Sequence, residues 1–286
     1  MKAVLTPTCL KELFQLWESY PDATFMAGGT DLLVKWRSQS HNQAVKDKRI
    51  LMSLAQVAEL HGVYHEGSTL AIGAATRFAH ISSDPLIAKH VPLLAQAVRT
   101  IGGPAIRNMA TIGGNIATAS PAGDSLPPLY VLDAEVEVVT QNGKRCFPIG
   151  EFITGAGQNT LRTGEIISRI LVPVGETFPC QWFEKIGRRK AMAIAVTSCS
   201  GLVRLSGKGT IEAARFAWGS VAPTVVRLPL LEKKLIGASL DDDTISWAKH
   251  LVCDGVSPIS DVRATADYRR RVAGNLLVRL LENLRG

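Results

Sequence analysis

Two double-glycine segments, roughly eighty residues apart, constrain this chain more than any other feature. The first, Ala27-Gly28-Gly29-Thr30-Asp31, follows the strand-like run ATFM and precedes the helix-like run LLVKW. The second, Thr111-Ile112-Gly113-Gly114-Asn115, lies within residues 106–132, whose charged residues are Arg107 and Asp124. Glycine lets backbone approach a ligand closely, and free N–H groups at a helix start favour an anion. Each segment predicts either a tight capped turn or a phosphate-binding turn, and the pair suits a ligand with two phosphates and flat rings.

Length and composition indicate a globular protein of two domains. The chain has 286 residues, near the size at which a single core stops growing, with 46% hydrophobic and 20% charged residues. It contains neither a signal-peptide pattern nor an apolar run of about 18 residues, so we expect a cytoplasmic protein with no membrane partner. The net charge of +7 is not concentrated in a dense block. This favours an anionic ligand or an acidic protein partner over nucleic acid.

Familiar catalytic and metal-binding patterns are missing from the sequence. The five cysteines are widely spaced with no CxxC pair, which argues against disulfides, structural zinc and an iron–sulfur cluster held by this chain. His61 and His65 are four residues apart but lack the HExxH pattern, so we expect no metal site. P-loop, Rossmann and Ser-His-Asp patterns are also absent. An enzyme with this sequence would take its chemistry from a cofactor.

Hydrophobic spacing predicts short strands mixed with helices, an α+β arrangement. Apolar positions predict a helix over 8–20 that ends at Pro21, and a hairpin over 63–76 that turns at Gly67. Further along the chain, we expect two long antiparallel strands and two helices, at 195–205, 210–221, 241–253 and 264–284.

The proline- and glycine-rich passage 171–180 marks a domain boundary. We therefore expect an N-terminal domain at 1–175, with subdomains at about 1–54 and 55–175. A smaller C-terminal domain at 180–284 would be an antiparallel sheet with helices on one face.

Two further groups of residues carry chemistry that the sequence leaves open. Asp124 precedes the run SLPPLYVL, where it can cap a helix or accept hydrogen bonds from ligand hydroxyls. Lys185, Arg188 and Arg189 follow the domain boundary. These cations can form a solvated strand end or bring positive charge into the cleft between the domains.

Taken together, the motifs resemble a known family. The segments AGGTDLL (27–33), IGAATR (72–77), IRNMATIGGNIATASPAGD (106–124), EKIGRRKAMAIA (184–195) and GSVAPTVVR (219–227) are similar, in order and spacing, to the FAD-binding subunit of molybdenum hydroxylases. That family includes the FAD-carrying subunits of xanthine, carbon monoxide and nicotinate dehydrogenases. The resemblance covers nearly the whole chain, although each motif alone is weak.

The resemblance implies an FAD domain of the vanillyl-alcohol oxidase (PCMH) type, made of two subdomains, and a smaller C-terminal domain. FAD would extend between the subdomains with its ring toward the C-terminal domain. Carried over by motif, Lys185 would lie near the flavin ring, and Thr76 and Arg77 are weaker candidates. The implied FAD-binding residues are Met26, Ala27, Gly28, Gly29, Thr30, Asp31, Leu32, Ala110, Thr111, Gly114, Asn115, Ala117, Gly123, Asp124, Ile170 and Lys185.

The resemblance also implies a role within a complex. A molybdopterin-containing large subunit would hydroxylate the substrate, and a 2Fe–2S small subunit would pass electrons to FAD and on to NAD+ or another acceptor. A stand-alone FAD oxidase or reductase, or a cofactor-free basic interaction module, would be the alternatives. One departure is Ala193, where many relatives carry Asp or Ser, so contacts near the ring or a partner would differ here.

Overall fold

The computed structural model describes residues 3–40 and 49–285. The chain begins with a three-stranded parallel sheet in the order β1–β3–β2. Its elements are β1 (Ala3–Leu5), α1 (Leu10–Ser19), β2 (Thr24–Met26), α2 (Leu32–Ser40) and β3 (Ile50–Ser53).

Helix α1 confirms the first predicted helix and shows why it is stable. Its fully buried Leu13 packs in a small apolar cluster, and the Trp17 ring meets the edge of Phe25 on β2 at 4.3 Å between centroids. The helix ends where the Tyr20 N–H bonds back to Leu16 and Pro21 follows. These contacts hold β2 in place, and the first double glycine follows directly after the end of this strand.

A five-stranded antiparallel sheet in the order β4–β5–β10–β6–β7 forms the next layer. The hairpin β4–β5 turns at Gly67, as predicted, with φ of +62°. A short 3₁₀ turn at Ala58–Leu60 precedes the sheet. The elements are β4 (Val63–Glu66), β5 (Thr69–Gly73), α3 (Phe78–Ile81), α4 (Pro85–His90), α5 (Pro92–Arg99), α6 (Pro104–Arg107), α7 (Ile112–Thr118), α8 (Leu126–Val131), β6 (Glu135–Thr140), β7 (Gly143–Pro148), α9 (Ile149–Phe152), β8 (Ile153–Gly155), β9 (Gln158–Asn159) and β10 (Ile166–Pro173).

A buried carboxylate network ties the central strands of this sheet together. Glu137 on β6 is 3% exposed and accepts hydrogen bonds from Arg169 and Ser168 on β10, at 2.9 and 2.8 Å. Lys144 on β7 adds a third at 2.9 Å. Burial alone would raise the pKa of Glu137, but these donors outweigh it and hold that pKa at about 2.

The C-terminal part is a four-stranded antiparallel sheet in the order β11–β12–β13–β14, packed against helices. Its elements are β11 (Cys180–Gly187), β12 (Ala195–Leu205), β13 (Ile211–Gly219), β14 (Val226–Arg227), α10 (Pro229–Leu235), α11 (Asp242–Gly255) and α12 (Ala266–Arg285). This confirms the α+β class and the two long strands and two helices that the sequence predicts.

Both faces of the C-terminal sheet are buried. Val203 and Phe216 share a core with the C-terminal helices, whereas Leu202 and Ala217, one residue away on each strand, join the core of the N-terminal layers. This follows from the period of two along a strand. The second face therefore brings β11 and the loop after it beside the N-terminal layers. Within residues 3–40 and 49–285, no helix is long and apolar enough to span a membrane.

Candidate cofactor site

The two double-glycine segments lie against each other. A Cβ atom built on Gly28 would stand 2.0 Å from the carbonyl oxygen of Met109 and 3.0 Å from the Cα of Ala110. These are backbone atoms, which cannot swing aside as the end of a side chain could. Only glycine therefore fits at position 28, and its role is to let the turn after β2 touch the segment that leads into α7.

The second double glycine lies inside a helix rather than in a turn, which corrects the expectation for this segment. Thr111 caps α7, its Oγ1 accepting a hydrogen bond from the Gly114 N–H at 3.2 Å. A Cβ on Gly113 would lie 2.6 Å from the Cβ of Ala74, so this glycine is needed for packing. A Cβ on Gly114 would meet only Thr111 Oγ1, at 2.9 Å. Gly114 thus leaves a bare surface open to the space between the segments.

That space is a cleft of about 450 Å³, which we name the glycine cleft. It brings together most of the residues that the resemblance implies: Met26, Ala27, Gly28, Gly29, Thr30, Asp31, Leu32, Ala110, Thr111, Gly114, Asn115, Ala117 and Gly123. Sequence reasoning missed six further lining residues: Phe25, Lys35, Thr118, Ser120, Ala122 and Ile194. Of the first five, Phe25 and Lys35 lie within two residues of the first motif, and Thr118, Ser120 and Ala122 lie inside the second. Ile194 comes from the C-terminal part; it lies in the motif at 184–195, but nothing in the sequence singles it out from the rest of that motif.

Backbone groups, rather than side-chain charges, dominate the chemistry of the glycine cleft. Its charged lining residues are Asp31 and Lys35, which pair with each other at 2.7 Å. Thr118 on α7 donates a hydrogen bond to the carboxylate of Asp31 at 3.3 Å. Because Asp31 directly precedes α2, this bond links the start of α2 to α7. The N–H of Leu33 in the first turn of α2 bonds to the Gly29 carbonyl at 3.1 Å, and the start of this helix carries the partial positive charge of its dipole. The cleft therefore suits an anion held by backbone donors.

Asn115 adds a side-chain donor whose orientation is fixed. Its Oδ1 accepts a hydrogen bond from the fully buried Ser125 at 2.7 Å. With the oxygen held there, the Nδ2 group is the remaining hydrogen-bonding group of this lining side chain.

Asp124 and Lys185 form a buried ion pair beside the cleft instead of lining it. The Lys185 Nζ lies 2.7 Å from Asp124 Oδ2, and the side chains of Lys185 and Asp124 are 10% and 7% exposed. The same ammonium donates to the carbonyl oxygens of Thr100 and Ala193, at 2.7 and 3.2 Å. Lys185 thereby connects β11 to Thr100 and Asp124 of the N-terminal layers, and it also binds the loop before β12 through Ala193.

This geometry rules out the helix-cap interpretation of Asp124. The residue before α8 is Ser125, and no side chain caps that helix. Burial raises the pKa of Asp124 to about 6, because the nearby charge of Lys185 offsets the loss of water only in part. Its Oδ1 atom is buried without a hydrogen-bond partner among the described residues. The alternative role, as an acceptor for ligand hydroxyls, stays a prediction.

Three residues singled out in the sequence lie away from the glycine cleft. Ile170 is fully buried on β10 between Ile72 and Val136, so it belongs to the sheet core. Thr76 and Arg77 line a second cleft of about 510 Å³, which we name the His61 cleft. Its lining residues are Ala55, Gln56, His61, Thr76, Arg77, Ala79, His80 and Asn108.

Comparisons with known proteins agree with this architecture. Residues 1–175 match the family described as the FAD binding domain in molybdopterin dehydrogenase, and residues 182–284 match the CO dehydrogenase flavoprotein C-terminal domain. The xanthine dehydrogenase FAD-binding subunit of Escherichia coli O157:H7 is 34% identical over 268 residues, which cover 91% of this chain and 88% of that protein. The nicotinate dehydrogenase FAD-subunit of Eubacterium barkeri is 29% identical and covers 98% and 96%.

A solved structure shows the same fold. The carbon monoxide dehydrogenase of Hydrogenophaga pseudoflava that lacks the Mo-pyranopterin moiety superposes with a TM-score of 0.89 at 30% identity, covering 98% of this chain and 96% of the compared chain. The first family match spans more than half of the 286 residues, and the resemblance read from the motifs is thereby confirmed. The chain belongs to the family of FAD-binding, or medium, subunits of the molybdenum hydroxylases, oxidoreductases in which its cofactor is FAD.

Proposed function

We propose that this chain is the electron-transfer subunit of a heteromeric, xanthine dehydrogenase-like enzyme in the cytoplasm. It takes electrons from the 2Fe–2S clusters of a small partner subunit and delivers them to NAD+ or another acceptor. A large subunit that carries molybdopterin hydroxylates the organic substrate. Support comes from the relatives, which are named as a xanthine dehydrogenase FAD-binding subunit and a carbon monoxide dehydrogenase medium chain.

One observation carries the proposal: two glycine segments from separate parts of the chain meet to form a single cleft of bare backbone. FAD fits this donor set, because its pyrophosphate is an anion and Gly28 and Gly114 put bare backbone on the lining of the cleft. When bound, FAD supplies the redox chemistry, accepting electrons singly and releasing them singly or as a hydride.

The residues of the glycine cleft would bind and orient the cofactor. The backbone of Gly28, Gly29 and Thr30 would hold one side of the pyrophosphate, and that of Thr111 and Gly114 the other. The Asn115 amide would donate a hydrogen bond, and Ile194 would restrict water at the mouth of the cleft. We also infer that residues 1–175 and 180–284 are the two domains, with the cofactor held mainly by the first.

Lys185 would act as a positioning residue. Its three hydrogen bonds already use the donors of the ammonium group, and Asp124 compensates its charge. The ion pair would fix Gly123, which lines the cleft, and the loop that carries Ile194. Direct contact between Lys185 and the flavin ring, as the resemblance implies, stays a prediction.

Purification of the native complex tests the function. We expect a yellow protein that releases FAD on denaturation, together with partner chains that contain molybdenum and iron. Rapid mixing with the substrate of the large subunit should reduce the flavin, and an acceptor such as NAD+ should reoxidise it. A chain isolated without partners that nevertheless oxidises a substrate of its own would contradict the proposal, as would a colourless chain that takes up no FAD.

A further inference from the structure

The His61 cleft lies directly behind the wall of the glycine cleft. Asn108 lines the His61 cleft, and Ala110, two residues along the chain, lines the glycine cleft. The backbone of Arg77 forms a β-bridge with Thr111, which also lines the glycine cleft. The two clefts are therefore neighbours in the structure, and their lining residues are different.

The side chains of the His61 cleft are suited to an anion. Arg77, His61 and His80 contribute cationic or donor groups, and Gln56 and Asn108 contribute amides. No carboxylate occurs among the described residues that line the cleft. One lining residue pairs with an acid outside the cleft: the Nε2 of His80 lies 3.3 Å from the Oδ2 of Asp84. Arginine with amide and imidazole donors is the usual composition of phosphate sites in proteins.

Two of these donors have no partner among the residues that the structure describes. The Arg77 guanidinium makes no hydrogen bond or ion pair with any residue of 3–40 or 49–285, although it belongs to a motif noted in the sequence. The Nε2 of His61 is buried from solvent and has no hydrogen-bond partner in the same part of the chain. A buried polar atom without a partner is unfavourable unless a ligand or water satisfies it.

The backbone holds these donors in fixed positions. The two chain neighbours of His61 accept backbone hydrogen bonds from the end of β5 and the residues after it. The Leu60 carbonyl accepts from the Ala75 N–H at 2.8 Å, and the Gly62 carbonyl accepts from the Gly73 N–H at 2.9 Å. The Thr76 hydroxyl adds a bond to Gly62 at 3.1 Å. On the other side of Arg77, the Phe78 N–H bonds to Ala110 at 3.0 Å. The donors therefore need little ordering when a ligand binds.

We propose that the His61 cleft is a second binding site, separate from the FAD site, which takes the phosphate group of a small phosphorylated ligand. Arg77 provides the charge, and His61 and Asn108 provide further hydrogen bonds. The volume of about 510 Å³ lies in the range of small-molecule pockets and exceeds what a free phosphate ion needs. A nucleoside monophosphate has a suitable size and charge.

Calorimetry on the FAD-loaded chain tests this site. FAD saturation blocks the glycine cleft, so that an added nucleotide cannot bind there. The probes are AMP, inorganic phosphate and adenosine. We expect AMP to bind and adenosine, which lacks the phosphate, to give no heat of binding. Phosphate binding as tightly as AMP would assign the site to free phosphate, and tighter AMP would assign it to the ester; either result supports the anion site.

Variants decide whether Arg77 is responsible. Arg77→Gln should weaken AMP binding by about 10- to 100-fold, as expected for the loss of charge-assisted hydrogen bonds. Arg77→Lys should restore part of the affinity, and Asn108→Ala should weaken it less. Arg271→Gln, which removes an equal charge from an exposed position on α12, should bind like the wild type. All four should retain full flavin content.

Three results would overturn the proposal: AMP that does not bind at millimolar concentration, adenosine that binds as well as AMP, or unchanged affinity in Arg77→Gln. None of these measurements depends on turnover or on the partner chains. Failure of this proposal is therefore distinguishable from failure of the proposed electron-transfer function.

Discussion

Replacing Gly114 by valine is expected to prevent FAD binding while the chain remains folded. Gly114 lines the glycine cleft, and an added Cβ would meet only the capping hydroxyl of Thr111, at 2.9 Å. Loss of a threonine cap costs about 1 kcal/mol, and replacement of a glycine inside a helix regains a few tenths of that. The apoprotein should therefore lose under about 1 kcal/mol, which for a chain of this size lowers Tm by roughly 2–4 °C.

The effect on FAD should be much larger. Each charge-assisted hydrogen bond between backbone N–H and phosphate contributes roughly 1.5–3 kcal/mol. A valine side chain at this position would displace the pyrophosphate from at least two such donors, so affinity should fall by roughly 10²- to 10⁴-fold. The assay is flavin absorbance per chain after purification, combined with thermal melting of the apoprotein followed by circular dichroism.

Two matched glycines serve as controls. Gly113→Val should destabilise the fold itself, because a Cβ there lies 2.6 Å from the Ala74 Cβ and 2.8 Å from its carbonyl oxygen. Gly150→Val in α9 should bind FAD normally, since its Cβ meets only Tyr130, at an ordinary 3.5 Å. Normal flavin content in Gly114→Val would refute the assignment of this cleft to FAD, whatever the melting temperature.

Three other perturbations test separate parts of the account. Gly28→Ala should lower the free energy of unfolding by about 3 kcal/mol or more, because its Cβ would stand 2.0 Å from the Met109 carbonyl oxygen. A melting temperature equal to that of the wild type would contradict this close contact between the backbones of Gly28 and Met109. Glu137→Gln should lower the free energy of unfolding by roughly 3 kcal/mol at neutral pH, given the pKa of about 2. The difference from the wild type should shrink as pH falls from about 4.5 toward 2, where the wild-type carboxylate becomes protonated. Urea unfolding at several pH values measures this difference, and one that does not change with pH would argue against the ionised network. Lys185→Met should leave Asp124 buried without its cation and loosen the loop that carries Ile194, so FAD should dissociate faster. The double variant with Asp124→Asn should recover part of the stability. Unchanged FAD dissociation in the single variant would exclude the positioning role.

Features encoded locally could be predicted from the sequence. The amphipathic spacing of Leu10, Leu13 and Trp17 predicted α1, and Gly67 predicted the β4–β5 hairpin, because in each case neighbouring residues decide the structure. The glycine cleft was also largely predictable, since its lining comes from two contiguous motifs.

Features that depend on distant residues could not be predicted. Asp124 and Lys185 are 61 positions apart, and only the packing of β11 against the N-terminal layers brings them together. Ile194 reaches the cleft by the same packing. The helix through Gly113 and Gly114 runs against glycine's intrinsic preference, and tertiary contact with Ala74 stabilises it.

Amide hydrogen exchange, measured on the apoprotein before and after FAD is added, tests the central claim most directly. Backbone N–H groups that bind the cofactor should become protected, and we expect this protection in two separate segments, residues 26–33 and 110–118. The edge strand β4 should exchange at the same rate in both states, because none of its residues lines the glycine cleft. Protection of only one segment, or protection centred outside both, would contradict a single FAD site built from two glycine segments.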